Sequence, residues 1–212
     1  MTKIKNPNYR KFLDDGLIDL IGLPELNAAL GNIKGKNSTE GRALLIALYY
    51  TGGRPVEVLS LKGQDIQIKD SYVTVHLQPS KRGLHRTMFL PYRYALVKEL
   101  YKYAASVYPE MFLFHHFRAA YNRQIRQKNG DVFTRVDISD KVRYFVKKWF
   151  KGVIPDSITP YFLRHNRFSQ LSEAGLNPQD IQMLKGSKTV QSVQAYLHLS
   201  TKSAQKIASK IK

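Results

Sequence analysis

Between Thr159 and Gly186 the chain carries one pair of signals twice. Thr159-Pro160 supplies an N-cap and a first-turn proline for "YFLRHNRFSQLSEA", which Gly175 ends, and Asn177-Pro178 opens "QDIQMLK", which Gly186 ends. A cap oxygen accepts from the first free amides, proline's fixed φ suits the first turn, and glycine's access to the left-handed region stops the helix. Two short helices are therefore expected here, followed by a third helical stretch, "TVQSVQAYLHL". The same punctuation recurs earlier. The strongly apolar "TEGRALLIALYY" starts behind Asn37 or Ser38, with Glu40 placed for a capping box behind Asn37, and stops at Thr51-Gly52-Gly53. Pro55 then suits the first turn of "PVEVLSL".

One segment breaks the helical pattern. "YVTVHLQ" and "LHRTMFL", rich in β-forming residues, flank "PSKRG", which reads as a hairpin. Helices are expected again in "YRYALVKELYKYAA" and in "DKVRYFVKKWF" behind a Ser139 cap, with a mixed helix in "RAAYNRQIRQKNG". Residues 1–36 read as a basic segment with helical patches, "NYRKFLDDGLIDLI" and "LPELNAALGNI". The predicted fold class is mainly α with a small antiparallel β-sheet, in one main domain, since 212 residues bury one sizeable core.

Charge narrows the partner. Lys plus Arg number 34 against 16 Asp plus Glu, a formal +18 spread along most of the chain, which points to a polyanion. Nucleic acid is favoured over a membrane, because no apolar run approaches the roughly 20 residues that span a bilayer and no signal peptide opens the sequence. With no cysteine there is no disulfide, no Cys-ligated zinc and no thiol nucleophile, which fits a cytoplasmic protein. The six histidines are scattered, and the adjacent pair His115-His116 reads as a surface pair, so no metal site is expected.

Several residues stand where chemistry would need them. Arg54 lies between a helix-ending glycine pair and a new helix start, where free amides already favour anions; it reads either as a phosphate contact or as a partner of Glu57. Lys81, at the hairpin tip, is either a solvated charge or a proton donor entering a groove. Its neighbours Arg82, His85 and Arg86 make the hairpin a candidate DNA-facing element. Tyr161, Arg164 and His165 follow i, i+3, i+4 spacing and share a helix face near its N-terminus, where Arg164 can aim its fork at a phosphate.

In this order and spacing, "TGGRPVEVLSL", the hairpin lysine, "TPYFLRH" and "GSKTVQSVQAYLH" resemble the catalytic domain of tyrosine recombinases, the phage-integrase-like site-specific recombinases. The resemblance covers about residues 38–200. It implies that Arg54 and Arg164 hold the non-bridging oxygens of a scissile phosphate, that Glu57 orients the first arginine, and that Lys81 protonates the departing 5′-hydroxyl. Tyr196 takes the place of the nucleophile that forms a 3′-phosphotyrosine linkage. Covalent capture conserves the phosphodiester energy, and the arginines do the work of a metal clamp, so the resemblance implies neither cofactor nor metal. It further implies double-stranded DNA as partner, a synaptic tetramer on DNA, and mostly monomer without it.

Two positions depart from the family's pattern. Tyr161 stands where a histidine is usual, three residues before Arg164, which leaves the general base open. Ser187 stands where histidine or tryptophan is usual, nine residues before Tyr196; it is either a phosphate ligand or a helix cap, with Lys185 or Lys188 able to lean in instead. Members commonly begin with a separate helical domain, for which residues 1–37 are too short, leaving a catalytic fragment and a reduced member as alternatives. The basic tail, residues 201–212, is expected to pack on a neighbouring protomer. Topoisomerase-like nicking and resealing, or DNA binding without catalysis, remain the alternative functions.

Overall fold

A computed structural model describes residues 20–79, 83–118, 138–154 and 158–197. Its centre is the helix α2, Ser38–Thr51, whose residues from Ala43 to Leu48 are all buried. A helix that is apolar on every side needs neighbours on every side. It has them: α2 packs against α4 (Ala95–Ala105), α6 (Pro160–Glu173) and the short α3 (Pro55–Leu59). The helix α1, Leu23–Gly31, adds Leu26, Ala29 and Leu30 to the same core, joined by Ile21 and Ile33. Asn166, fully buried on α6, accepts from the Ile21 amide (2.7 Å) and donates to its carbonyl (3.1 Å), so residues just before α1 are stitched to α6. This core therefore draws on residues before position 38.

The hairpin expected from the sequence is present as β2 (Tyr72–Leu77) and β3 (Arg86–Pro91), antiparallel, with Val73 opposite Leu90 and Val75 opposite Met88. A third strand, β1 (Ile66–Lys69), pairs with β2 through the two-residue turn Asp70-Ser71, where Asp70 takes φ 56°. Aspartate tolerates that left-handed conformation better than most residues. Strand β1 buries only Ile66 and so lacks the alternation by which a strand is read in sequence. Val73, Val75, Leu77, Met88 and Leu90 face the core, while Tyr72 and Phe89 pack edge to face on the outside.

Most cap expectations hold. Gly52 closes α2 with φ 56°, Pro55 opens α3, and Thr159 Oγ1 accepts from the Phe162 amide at the start of α6. Asn177 Oδ1 accepts from the Asp180 amide (2.8 Å) at the start of α7, Pro178–Lys185, which Gly186 ends with φ 67°. Three details differ. Glu40 does not complete a capping box with Asn37; its buried carboxylate accepts instead from the amides of His116 (2.9 Å) and Phe117, at the start of another helical turn. Free amides of a distant turn compete for the same oxygens as the local one. The helix expected from Tyr92 begins at Ala95, because the Tyr92 amide is taken by the Ser71 carbonyl (2.9 Å) beside the sheet. The helix α5 runs Ile138–Trp149, so Ser139 lies inside its first turn. The last helical stretch is a 3₁₀ turn, Val190–Val193, followed by α8, Gln194–Leu197. The helix expected in "RAAYNRQIRQKNG", most of the N-terminal patch and the basic tail lie outside the described residues. Among the described residues no helix is long and apolar enough to cross a membrane.

Candidate active site

Four elements deliver charge to one place. The glycine turn after α2 hands the chain to α3, so Arg54 stands at the cap and Glu57 one turn on. The fully buried Glu57 carboxylate gathers the neighbours: Oε1 accepts from Arg54 Nη1 (2.6 Å), while Oε2 accepts from the Arg54 amide (2.9 Å) and from Arg86 Nη2 (2.7 Å). Arg164 Nη1 lies 3.9 Å from the same oxygen. Burial pushes the Glu57 carboxyl up, but Arg86 and then Arg54 outweigh it and hold it at about 2. One carboxylate thus sits among three guanidinium groups, leaving an excess of positive charge.

Arg164 comes from the first turns of α6 and is only 5% exposed. It donates through Nη1 to the Gly52 carbonyl (2.6 Å) and through Nη2 to the Lys185 carbonyl (2.8 Å), with its fork 5.0 Å from the Phe168 ring centroid. Burial, then Arg86 and Arg54, lower its pKa to about 10. Held on both sides, the guanidinium keeps one orientation, which is what recognition of a planar or tetrahedral oxyanion requires.

Tyr196 is carried to this cluster by α8. Its side chain is 3% exposed and packs in a small cluster with Phe168, Ile181 and Val193, separate from the main core. The His165 ring lies 5.4 Å from the Tyr196 ring, and Lys185 Nζ stands 5.0 Å from its centroid. Burial raises the Tyr196 phenol, and the positive charges of Arg164 and Arg54 offset part of that rise. Burial, then Lys185 and Arg164, lower His165 to about 4, so its ring is neutral in ordinary buffers.

The remaining sequence expectations divide. Tyr161 shares the α6 N-terminus with Arg164 but stays 42% exposed. Ser187 follows the α7 cap and receives a hydrogen bond from Ser192 Oγ (2.7 Å). His85 is exposed at the base of the hairpin. Arg86, expected to face DNA beside it, points the other way: it lies opposite Leu77 in the sheet, alternates with Met88 and Leu90 on the inner face, and binds Glu57. Its Nε and Nη1 are buried and donate to no acceptor among the described residues. Lys81 and Arg82 lie outside the described residues. The Leu84 amide donates to the Gly186 carbonyl (3.2 Å), so the β3 side of the hairpin is docked on the α7 cap. The His115-His116 pair meets Glu40, with His116 Nδ1 2.5 Å and His115 Nδ1 3.9 Å from its Oε2.

A mainly helical domain with a three-strand antiparallel sheet, arginines braced by a carboxylate, and a tyrosine on the last short helix of the described residues has the architecture of a tyrosine recombinase catalytic domain. The chain belongs to the phage integrase family, whose model matches residues 22–203. It is 24% identical over 209 residues to tyrosine recombinase XerD of Staphylococcus epidermidis, covering 96% of this chain and 64% of that protein. With XerA of Pyrococcus furiosus the identity is 25% over 203 residues, covering 94% and 63%. The chain thus spans a little under two thirds of these relatives. Among solved structures, XerA recombinase matches with a TM-score of 0.60 at 23% identity, over 99% of this chain and 66% of that one. XerH bound to its difH substrate after cleavage matches with a TM-score of 0.58 at 18% identity, over 89% and 52%. The Tn1549 transposon integrase in complex with transposon end DNA gives 0.53 at 21%, over 92% and 66%.

Proposed function

We propose that this chain cleaves and rejoins double-stranded DNA as a site-specific recombinase, through a covalent 3′-phosphotyrosine intermediate formed by Tyr196. The observation that carries the reading is the convergence of Arg54, Arg86 and Arg164 on Glu57, beside a buried tyrosine whose hydroxyl feels two of those charges. Such a cluster attracts a phosphodiester and offsets the charge that grows on its oxygens as the tyrosine attacks. Arg54, with 29% of its side chain exposed, is the arginine that meets substrate from solvent, while Arg164 waits behind it. Lys81 is assigned the proton for the leaving 5′-oxygen, and the docked base of its hairpin supports that role. Relatives named as recombinases and neighbours solved in complex with DNA support the substrate class. The catalytic residues fall within 38–200, on a core that α1 helps to build, and the basic tail joins protomers in a synaptic tetramer that forms on DNA.

Nicked duplexes carrying a randomised site trap the intermediate, because the short strand beyond the cleaved bond diffuses away. The wild-type chain is expected to form a denaturation-resistant DNA adduct whose tryptic map places the DNA on Tyr196, and Tyr196→Phe to abolish it. No adduct from wild type on any library sequence would overturn strand cleavage in favour of DNA binding alone. An adduct that survives Tyr196→Phe but not Tyr161→Phe would move the nucleophile. Relaxation of supercoiled plasmid without exchange between sites would replace recombination by a topoisomerase-like cycle.

A further inference from the structure

The phosphotyrosine chemistry needs a group that takes the phenolic proton as the tyrosine attacks and returns it on rejoining. The positions expected to supply it do not fit that task. Tyr161 is turned toward solvent, the Ser187 hydroxyl is engaged by Ser192, and a hydroxyl is a poor base in any case. His165 touches the Tyr196 ring but is held down at about 4 and so binds a proton weakly.

Among the described residues, Lys185 has the geometry for this task, whereas Lys188, two residues past the α7 cap, is exposed. It ends α7 one residue before the Gly186 cap, and its side chain folds back over the last helical segment. There Nζ donates to the Ser192 carbonyl and stands 5.0 Å from the Tyr196 ring centroid. Its own carbonyl is bound by Arg164 Nη2 (2.8 Å), so the backbone that bears the amine is tied to the phosphate clamp. The charged and titratable groups around it are Arg54 from the start of α3, Arg164 and His165 from α6, and Tyr196 from α8. Burial, then Arg164 and Arg54, lower the Lys185 ammonium to about 8, so roughly a tenth is neutral amine at pH 7, far more than for a free lysine.

We propose that Lys185 is the proton-transfer partner of Tyr196, filling the role that the family's histidine would have at the position of Tyr161. The inference rests on the phosphotyrosine reading above. In the cleavage step the Tyr196 O–H proton passes to the neutral Nζ, either after the side chain rotates off the Ser192 carbonyl or through one water. The phenolate oxygen forms its bond to phosphorus, the P–O5′ bond breaks, and the departing oxygen takes a proton from Lys81. Rejoining reverses each transfer, so no net proton or electron is consumed.

The test is the single-turnover rate of adduct formation on the trapped duplex, measured from pH 6 to 9.5 for wild type, Lys185→Arg, Lys185→Gln and Lys185→Ala. Wild type is expected to show a rate that rises through an apparent pKa near that of the buried lysine. All three variants are expected to lose that limb and to fall about a hundredfold or more, with unchanged duplex affinity. Added methylamine or ethylamine is expected to restore Lys185→Ala in proportion to the neutral amine present. A Lys185→Arg variant as fast as wild type would overturn the inference, since a fixed cation would then suffice. Failure of amines to rescue Lys185→Ala would overturn it as well. Absence of adduct from wild type would instead overturn the strand-transfer reading, and this inference with it.

Discussion

Glu57 and His165 show how single groups tie the site to the stability of the fold. Each has a lower affinity for protons in the folded chain than its ordinary value, 4.5 falling to about 2 for Glu57 and 6.5 to about 4 for His165. The unfolded chain therefore binds the extra proton first, and stability falls as pH falls. The loss from His165 runs from pH 6.5 down to about 4, and that from Glu57 from 4.5 down to about 2. Urea denaturation across this range is expected to show both losses; His165→Gln removes the upper one and Glu57→Gln the lower, the latter on the order of 3 kcal/mol. An acid limb unchanged by Glu57→Gln would mean that its ion pairs contribute nothing. How legible such groups are in the sequence depends on where their partners lie. Glu57 follows Arg54 by one helical turn, and that pairing is readable. Arg86 could have been assigned inward from its parity with Met88 and Leu90, though its basic neighbours point outward. Lys185 was readable as a cation able to lean into the site, but not as the one beside the Tyr196 ring, because that approach depends on the cap at Gly186 and on the following 3₁₀ turn. Glu40 finds its partners 76 and 77 residues away, and no local pattern carries that.

At the scale of elements, the turns position the chemistry more than the helices do. Gly52 shows why: its carbonyl holds Arg164, and its left-handed φ of 56° turns the chain toward Arg54. A Cβ there would lie 3.2 Å from both Arg167 Cβ and Phe168 Cε2. Gly52→Ala is expected to cost about 1–2 kcal/mol from the backbone alone, with crowding added, and to weaken DNA cleavage more than DNA binding. Denaturation and the adduct assay on the same variant check both halves. Helix starts and stops were the most readable elements, since a cap is a property of three or four adjacent residues. Strand β1 was the least readable, because a short edge strand with one buried side chain looks like loop until its partner is known.

For the whole molecule, charge and core act on different observables. With a formal +18, DNA affinity is expected to fall steeply with salt, by about a thousandfold or more between 50 and 200 mM if six or more phosphates are neutralised. Fluorescence anisotropy on a labelled duplex reads the slope, and a flat response would remove the electrostatic account of binding. The hydrophobic interior is divided unequally: a large cluster runs from Ile21 to Leu163, while Tyr196 sits with Phe168, Ile181 and Val193 in a small one. A unit with few buried contacts opens at a lower free energy than the core it leans on. Amides of α8 are therefore expected to exchange with deuterium faster than those of α2, without global unfolding. Equal protection in the two helices would contradict this. Under the proposed mechanism, such local opening would withdraw or present Tyr196 while the core that holds Arg54 and Arg164 stays folded.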